Sequence, residues 1–258
     1  MTAQQPACYI DGPHGRLAYR MREGDMSRPG IVWFGGYRSD MLGSKANALD
    51  AFCRRDNIGF LRFDYAGHGE SSGDFEDGTI GKWTRDARTV IEAVFERPLI
   101  IVGSSMGAWT STLFALARPE LVHGAVYIAP APDFTEKLMV PTFTQDQISE
   151  LERTGRLEIP SDYSGDPYIY TKAFLDDGVA NAVMTKDIAL RGDIRILHGL
   201  RDEVVPLSHV VEFIDKINSD RVQATLVKDG DHRLSTDANL ELLWQTIQEV
   251  CAGIDIRN

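Results

Sequence analysis

The stretch Gly103-Ser104-Ser105-Met106-Gly107 constrains this chain more than any other. It follows the apolar run Leu99-Ile100-Ile101-Val102 and opens a helix-like stretch from Ala108 to Arg118, so a buried strand must turn sharply into a helix. A turn that tight drives its middle residue, Ser105, to positive φ, which a non-glycine side chain keeps only where its surroundings impose it. The glycines two positions to either side lack a Cβ, and strand and helix can close around the turn without collision. The serine hydroxyl is then presented beside a helix N-terminus, where free N–H groups and the helix dipole favour negative charge.

The rest of the chain supplies a setting for that turn. Tyr9 to Arg20, with His14-Gly15 at the bend, reads as an antiparallel hairpin at a sheet edge. Ile31-Val32-Trp33-Phe34 is a compact apolar strand running into Gly35-Gly36-Tyr37. Ser44 is read as the N-cap of a helix through Arg55, with Leu49, Phe52 and Cys53 at core spacing. A strand over 59–63 leads into the loop Asp64-Tyr65-Ala66-Gly67-His68-Gly69-Glu70-Ser71, and Ile80, Trp83, Ala87, Val90, Ile91 and Val94 then mark one apolar helix face. After the turn at Ser105, Pro119 stops a helix and Ala125-Val126-Tyr127-Ile128 forms the sixth strand. Strand and helix alternate through short connections, which predicts right-handed crossovers and a mostly parallel sheet with helices on both faces.

The rhythm breaks between Pro130 and Asp187, where prolines and aromatic residues crowd together. Thr144-x-x-Gln147 reads as a capping box opening a helix that ends at Gly155. Nearly 60 residues exceed what a connection needs, so 131–187 is predicted to be a helical cap lying over Ser105, inserted into a core made of 1–130 and 188–258. The alternation resumes with a strand over 194–199, a helix over 207–217, a strand over 222–227 and a last helix using Leu240, Leu243, Trp244, Ile247, Val250 and Cys251.

Net charge and cysteine usage narrow the partners. A net charge of −11 and a pI near 5.0 argue against nucleic acid or an anionic membrane, since both require a basic footprint. No apolar run reaches the ~18 residues of a membrane span. Cys8, Cys53 and Cys251 are odd in number and widely spaced, with no Cys-x-x-Cys pair, which argues against a disulfide framework or zinc site and fits a reducing compartment. The opening residues have neither the order of a secretory signal nor the Arg-rich character of a transit peptide, so the expected location is cytoplasmic. No cofactor or metal is implied, and the expected partner is a small-molecule or acylated-protein substrate.

A serine hydroxyl is a weak nucleophile near neutral pH and needs a base within hydrogen-bond reach, itself oriented by a third group. For a serine on such a turn the partners follow in the order acid, then histidine. Asp202 lies in the loop after the penultimate parallel strand and His232 in the loop after the last. Each has a neighbour that could compete, Glu203 and Asp231, but adjacent residues on an extended loop point in different directions. The remaining histidines, His14, His68, His123, His198 and His209, do not follow the last strand and are read as structural. The glycine pair before Tyr37 lets backbone approach closely, so the N–H groups of Tyr37 and Met106 are the expected donors to a developing oxyanion.

Taken with these, Phe34-Gly35-Gly36-Tyr37, Arg62-Phe63-Asp64-Tyr65, Gly81-Lys82-Trp83, Leu197-His198-Gly199 and Asp231-His232-Arg233 resemble one branch of the α/β-hydrolases. That branch comprises mitochondrial palmitoyl-protein thioesterases that also act as mycophenolic acid acyl-glucuronide esterases. The resemblance spans most of the chain and is weakest in 131–187. Gly35 stands where proline is common and Ala108 where a second glycine is frequent; neither change removes a candidate catalytic residue. The resemblance implies the α/β-hydrolase fold, a Ser105-Asp202-His232 triad and hydrolysis of acyl thioesters or carboxylic esters; the opening residues, which do not read as a transit peptide, suggest a relative of bacterial type. Two alternatives remain: a serine aminopeptidase or oligopeptidase on the same scaffold, and a non-catalytic ligand binder.

Overall fold

The computed structural model of the protein describes residues 5–160 and 167–254. An antiparallel ribbon comes first, β1 (Cys8–Gly12) pairing with β2 (Gly15–Arg22) across the bend at Pro13-His14. The remaining elements follow as β3 (Gly30–Phe34), α1 (Ser44–Arg55), β4 (Phe60–Phe63), α2 (Ile80–Val94), β5 (Leu99–Ser104), α3 (Met106–Ala117) and β6 (Val122–Ile128). Then come α4 (Gln145–Thr154), β7 (Arg156–Ile159), β8 (Tyr168–Thr171), α5 (Lys172–Ala180), β9 (Asp193–Gly199), α6 (Leu207–Lys216), β10 (Val222–Val227) and α7 (Asp237–Ala252). Eight strands form one sheet in the order β1-β2-β4-β3-β5-β6-β9-β10. Only the pairings of β2 with β1 and with β4 are antiparallel; those from β4 to β10 are parallel.

Side chains on the central strands alternate between two cores, as the period-two geometry of a strand requires. Val32 and Phe34 of β3, Leu99 and Ile101 of β5, and Ala125 and Tyr127 of β6 pack with α2, α3 and α6 on one face. Ile31, Trp33, Ile100, Val102, Val126 and Ile128 point the other way, onto Ala46, Leu49 and Cys53 of α1 and Leu243, Trp244, Ile247 and Val250 of α7. Helices on both faces bury these strands almost completely, which explains their unbroken apolar runs.

Two expectations need correction. Ser44 is the first residue of α1 and does not cap it; Gly43 occupies the cap position, because its carbonyl already accepts the Asn47 N–H at 3.0 Å. The segment between β6 and β9 is also not wholly helical. Its capping box at Thr144 and Gln147 and its left-handed Gly155 close α4 as the sequence predicts, but β7 and β8 pair antiparallel into a second, two-stranded sheet. Leu157, Ile159, Tyr168, Ile169 and Tyr170 are β-branched, aromatic or alternating residues that favour a pleated surface over a helix.

Buried polar contacts fasten this segment to the sheet-bearing part. The Asp133 carboxylate accepts the N–H groups of Val183 at 2.9 Å and Met184 at 2.7 Å, tying the two ends of the segment together. Asp177 of α5 accepts the Gly81 N–H at 2.7 Å in the first turn of α2, where the helix dipole favours a negative charge. Trp109 of α3 donates its indole N–H to the Asn181 carbonyl at 3.0 Å.

Candidate active site

Ser105 sits between β5 and α3 with φ 55° and ψ −118°, a region open to a non-glycine residue only under external constraint. The constraint is visible: the Ser105 N–H donates to the Ile128 carbonyl at 2.9 Å, and its carbonyl accepts from Ala108 and Ala131. Both flanking glycines are required by close approach. A Cβ on Gly103 would lie 2.6 Å from the Gly107 carbonyl oxygen, and one on Gly107 would lie 2.1 Å from that of Phe34. The second clash shows that α3 begins directly against the end of β3.

Asp202 follows β9 and His232 follows β10, and the structure brings both to Ser105. His232 Nδ1 lies 2.8 Å from Asp202 Oδ2, and its Nε2 lies 3.1 Å from Ser105 Oγ. Three residues far apart in sequence thus form one hydrogen-bonded line at the carboxyl edge of the sheet. The Asp202 side chain is closed to solvent, while His232 keeps 24% exposure. Burial pushes the Asp202 carboxyl upward, but the His232 hydrogen bond and the Val205 and Val204 N–H groups outweigh it and hold the group below the ordinary carboxylate range. Glu203 is exposed, and Asp231 accepts the Leu234 N–H at 2.9 Å within its own turn.

The loop after β3 lies against the same turn. A Cβ on Gly36 would stand 3.3 Å from the Ser104 carbonyl oxygen and 3.6 Å from Ser105 Cβ. Neither the Tyr37 nor the Met106 N–H finds an acceptor among the described residues, so both are free for an external oxygen. The Tyr37 ring is wedged among aromatic rings: stacked on Phe174 at 5.5 Å between centroids, and edge-on to Phe75 at 5.0 Å, Phe134 at 5.8 Å and Trp83 at 6.0 Å. Phe134 and Phe174 belong to the segment between β6 and β9, which therefore rests on the loop that carries this amide. Burial drives the Tyr37 phenol well above its ordinary range.

The other histidines divide as the sequence suggests, with one addition. His14 lies 3.2 Å from the buried Asp86 carboxylate. His68 is buried under Trp83, Phe75 and Tyr65, and that burial lowers its pKa to about 4, so it stays neutral as scaffolding. His198 is the addition: on β9, 1% exposed, it places Nδ1 3.8 Å from the same Asp202 oxygen that binds His232. The spacing Leu197-His198-Gly199-x-x-Asp202 was the available signal. Lys45, at the start of α1, donates its amine to the Arg233 carbonyl beside His232, and burial lowers the amine to about 8 against a partial upward pull from Asp231. Among the described residues no group of three or more His, Cys, Asp or Glu side chains could hold a metal ion, and no helix is long and apolar enough to cross a membrane.

Comparison with known proteins agrees with this fold. Residues 29–243 match the model of a family described as the alpha/beta hydrolase family. The mouse mitochondrial palmitoyl-protein thioesterase ABHD10 is 37% identical over 237 residues, covering 91% of this chain and 78% of the relative. Its human counterpart is 35% identical over 238 residues, covering 91% and 76%. Among solved structures, a putative hydrolase from Agrobacterium vitis S4 superposes with a TM-score of 0.91 at 37% identity, over 95% of this chain and 98% of that one. Mouse alpha/beta hydrolase domain-containing protein 10 superposes with a TM-score of 0.86 at 33% identity, over 95% and 98%.

Proposed function

This chain belongs to the alpha/beta hydrolase family, and from that premise we propose that it is a serine hydrolase cleaving acyl thioesters or carboxylic esters through an acyl-enzyme. The observation that carries the reading is the line from Asp202 through His232 to Ser105, at 2.8 Å and 3.1 Å. With its proton on Nδ1 held by Asp202, His232 offers a bare Nε2 to the Ser105 hydroxyl. As Oγ attacks the acyl carbon, the hydroxyl proton passes to Nε2, and negative charge collects on the former carbonyl oxygen. The free N–H groups of Tyr37 and Met106 receive that oxyanion, aided by the dipole of α3. Collapse expels the thiol or alcohol, which takes the proton from Nε2. Water then attacks the acyl-serine with His232 again as base, releasing the acid and restoring the serine.

The names of the ABHD10 relatives support a thioester as the bond cleaved. We read 131–187 as the cover over Ser105, since Phe134 and Phe174 pack on the Tyr37 loop. The three cysteines are free, which supports a cytoplasmic, reducing setting. The test is labelling by a fluorophosphonate together with turnover of acyl thioesters, esters and aminoacyl amides. The proposal expects labelling at Ser105, turnover of the thioesters or esters above the amides, and loss of both signals in Ser105→Ala. Undiminished turnover in a folded Ser105→Ala protein overturns it, and preference for amides assigns a peptidase instead.

A further inference from the structure

Arg38 follows directly on Tyr37 and is exposed, yet it is not a loose surface arginine. Its backbone is left-handed, φ 56°, and is held there by a tight turn in which the Ser39 N–H donates to the Gly36 carbonyl at 3.2 Å. A left-handed conformation is unfavourable for a residue with a long side chain and natural for glycine. The side chain is also aimed. The guanidinium carbon lies 4.7 Å from the centroid of the Phe75 ring, 5.1 Å from that of Tyr168 and 6.0 Å from that of Tyr37. Phe75 comes from the loop before α2 and Tyr168 from β8, so the cation fills the seam between the sheet-bearing part and the inserted segment. Its positive charge also reaches Tyr170, opposing the rise that burial imposes on that phenol.

No carboxylate of the described residues lies within salt-bridge reach, 4.0 Å, of this guanidinium. It therefore has no ionic partner there: its polar neighbour is the Tyr37 phenol, and aromatic faces fix its direction. In a chain of net charge −11 an approaching anion is repelled by most of the surface, and a cation on the Gly35-Gly36-Tyr37 loop that lies against the Ser105 turn offers a local means of admitting one.

We propose that Arg38 is a specificity-determining residue that binds a carboxylate or phosphate carried by the substrate close to the scissile acyl bond. The inference rests on the serine-hydrolase reading above, and it names the charge that the substrate presents at the seam. The anion can sit on the leaving group or at the far end of the acyl chain; a guanidinium reads either by the same charge-assisted hydrogen bonds.

Three esters separate these cases: neutral phenyl butyrate, para-carboxyphenyl butyrate with the charge on the leaving group, and phenyl hydrogen glutarate with the charge on the acyl chain. The readout is the ratio of kcat/KM for each charged ester to that for the neutral one, in wild type and in Arg38→Met, Arg38→Gly and Arg38→Lys. The ratio cancels any general effect on the catalytic machinery, and the glycine variant removes the side chain while relieving the left-handed backbone. For one charged ester the ratio is expected to fall about tenfold in both Met and Gly variants, mainly through KM, and to recover in part in Lys. Loss confined to para-carboxyphenyl butyrate places the anion on the leaving group, and loss confined to phenyl hydrogen glutarate places it on the acyl chain. Unchanged ratios in both series, with wild type still hydrolysing phenyl butyrate, overturn the anion site and leave the hydrolase reading standing. A wild-type protein that turns over none of the three and takes no fluorophosphonate overturns both.

Discussion

Ser105 holds a conformation that glycine would hold at less cost, and the hydrogen bonds it donates to Ile128 and accepts from Ala108 and Ala131 keep it there. Strain of this kind is worth about 1–3 kcal/mol, and glycine's greater unfolded-state freedom offsets part of the relief. Ser105→Gly is therefore expected to raise stability by about 1 kcal/mol in calorimetry while removing the hydrolytic turnover proposed above. A lower melting temperature in that variant would contradict the strain argument. Ser105, Asp202 and His232 were legible in the sequence because each follows a recognisable strand and the elements come in a fixed order. The contacts of Arg38 were not. Residues 38, 75 and 168 meet only through tertiary packing, and no local periodicity marks such a meeting.

At the level of elements, the contact between β3 and α3 fixes where the Gly35-Gly36 loop lies relative to Ser105. Gly107→Ala would drive a methyl group into the Phe34 and Gly35 carbonyls, at 2.1 Å and 2.7 Å, and backbone there cannot yield cheaply. Urea unfolding should show a loss of about 2–4 kcal/mol, with turnover falling further than stability alone explains. The fastening of α5 makes a separate prediction. Asp177→Ala leaves the Gly81 N–H unpaired at the head of α2 and should cost about 1–3 kcal/mol. Hydrogen exchange should quicken in 131–187 and the first turn of α2 while β5 and β6 stay protected; uniform acceleration would refute a local fastening. Apolar spacing announced most helices and the sheet strands, since each buries a continuous face. It did not announce β7 and β8, because strands of four residues joined across two prolines carry too few inward positions to set a period.

Across the whole molecule, two buried titrating groups pull acid stability in opposite directions. His68, lowered to about 4 by burial, favours the folded state above its ordinary value near 6.5 and loses that contribution as the pH falls through 4. Asp64, raised to about 6 by burial despite the N–H groups of Glu70 and Met41, contributes below its ordinary value near 3.8 and loses that contribution as the pH rises through 6. Replacing His68 with Gln should therefore leave a stability gap to wild type that narrows by about 3 kcal/mol between pH 7 and pH 4, read by urea unfolding across that range. A constant gap would mean that His68 charges freely in the folded protein. The position of Tyr37 has a wider consequence. Its ring is gripped at once by Phe75 and Trp83 from one side of the seam and by Phe134 and Phe174 from the other, so a guest bulky enough to lever the halves apart drags the adjoining peptide plane with it. If the chain cleaves esters as proposed, excess size is expected to register in how fast a bound ester is cut, with oversized esters acting as slow, competing occupants.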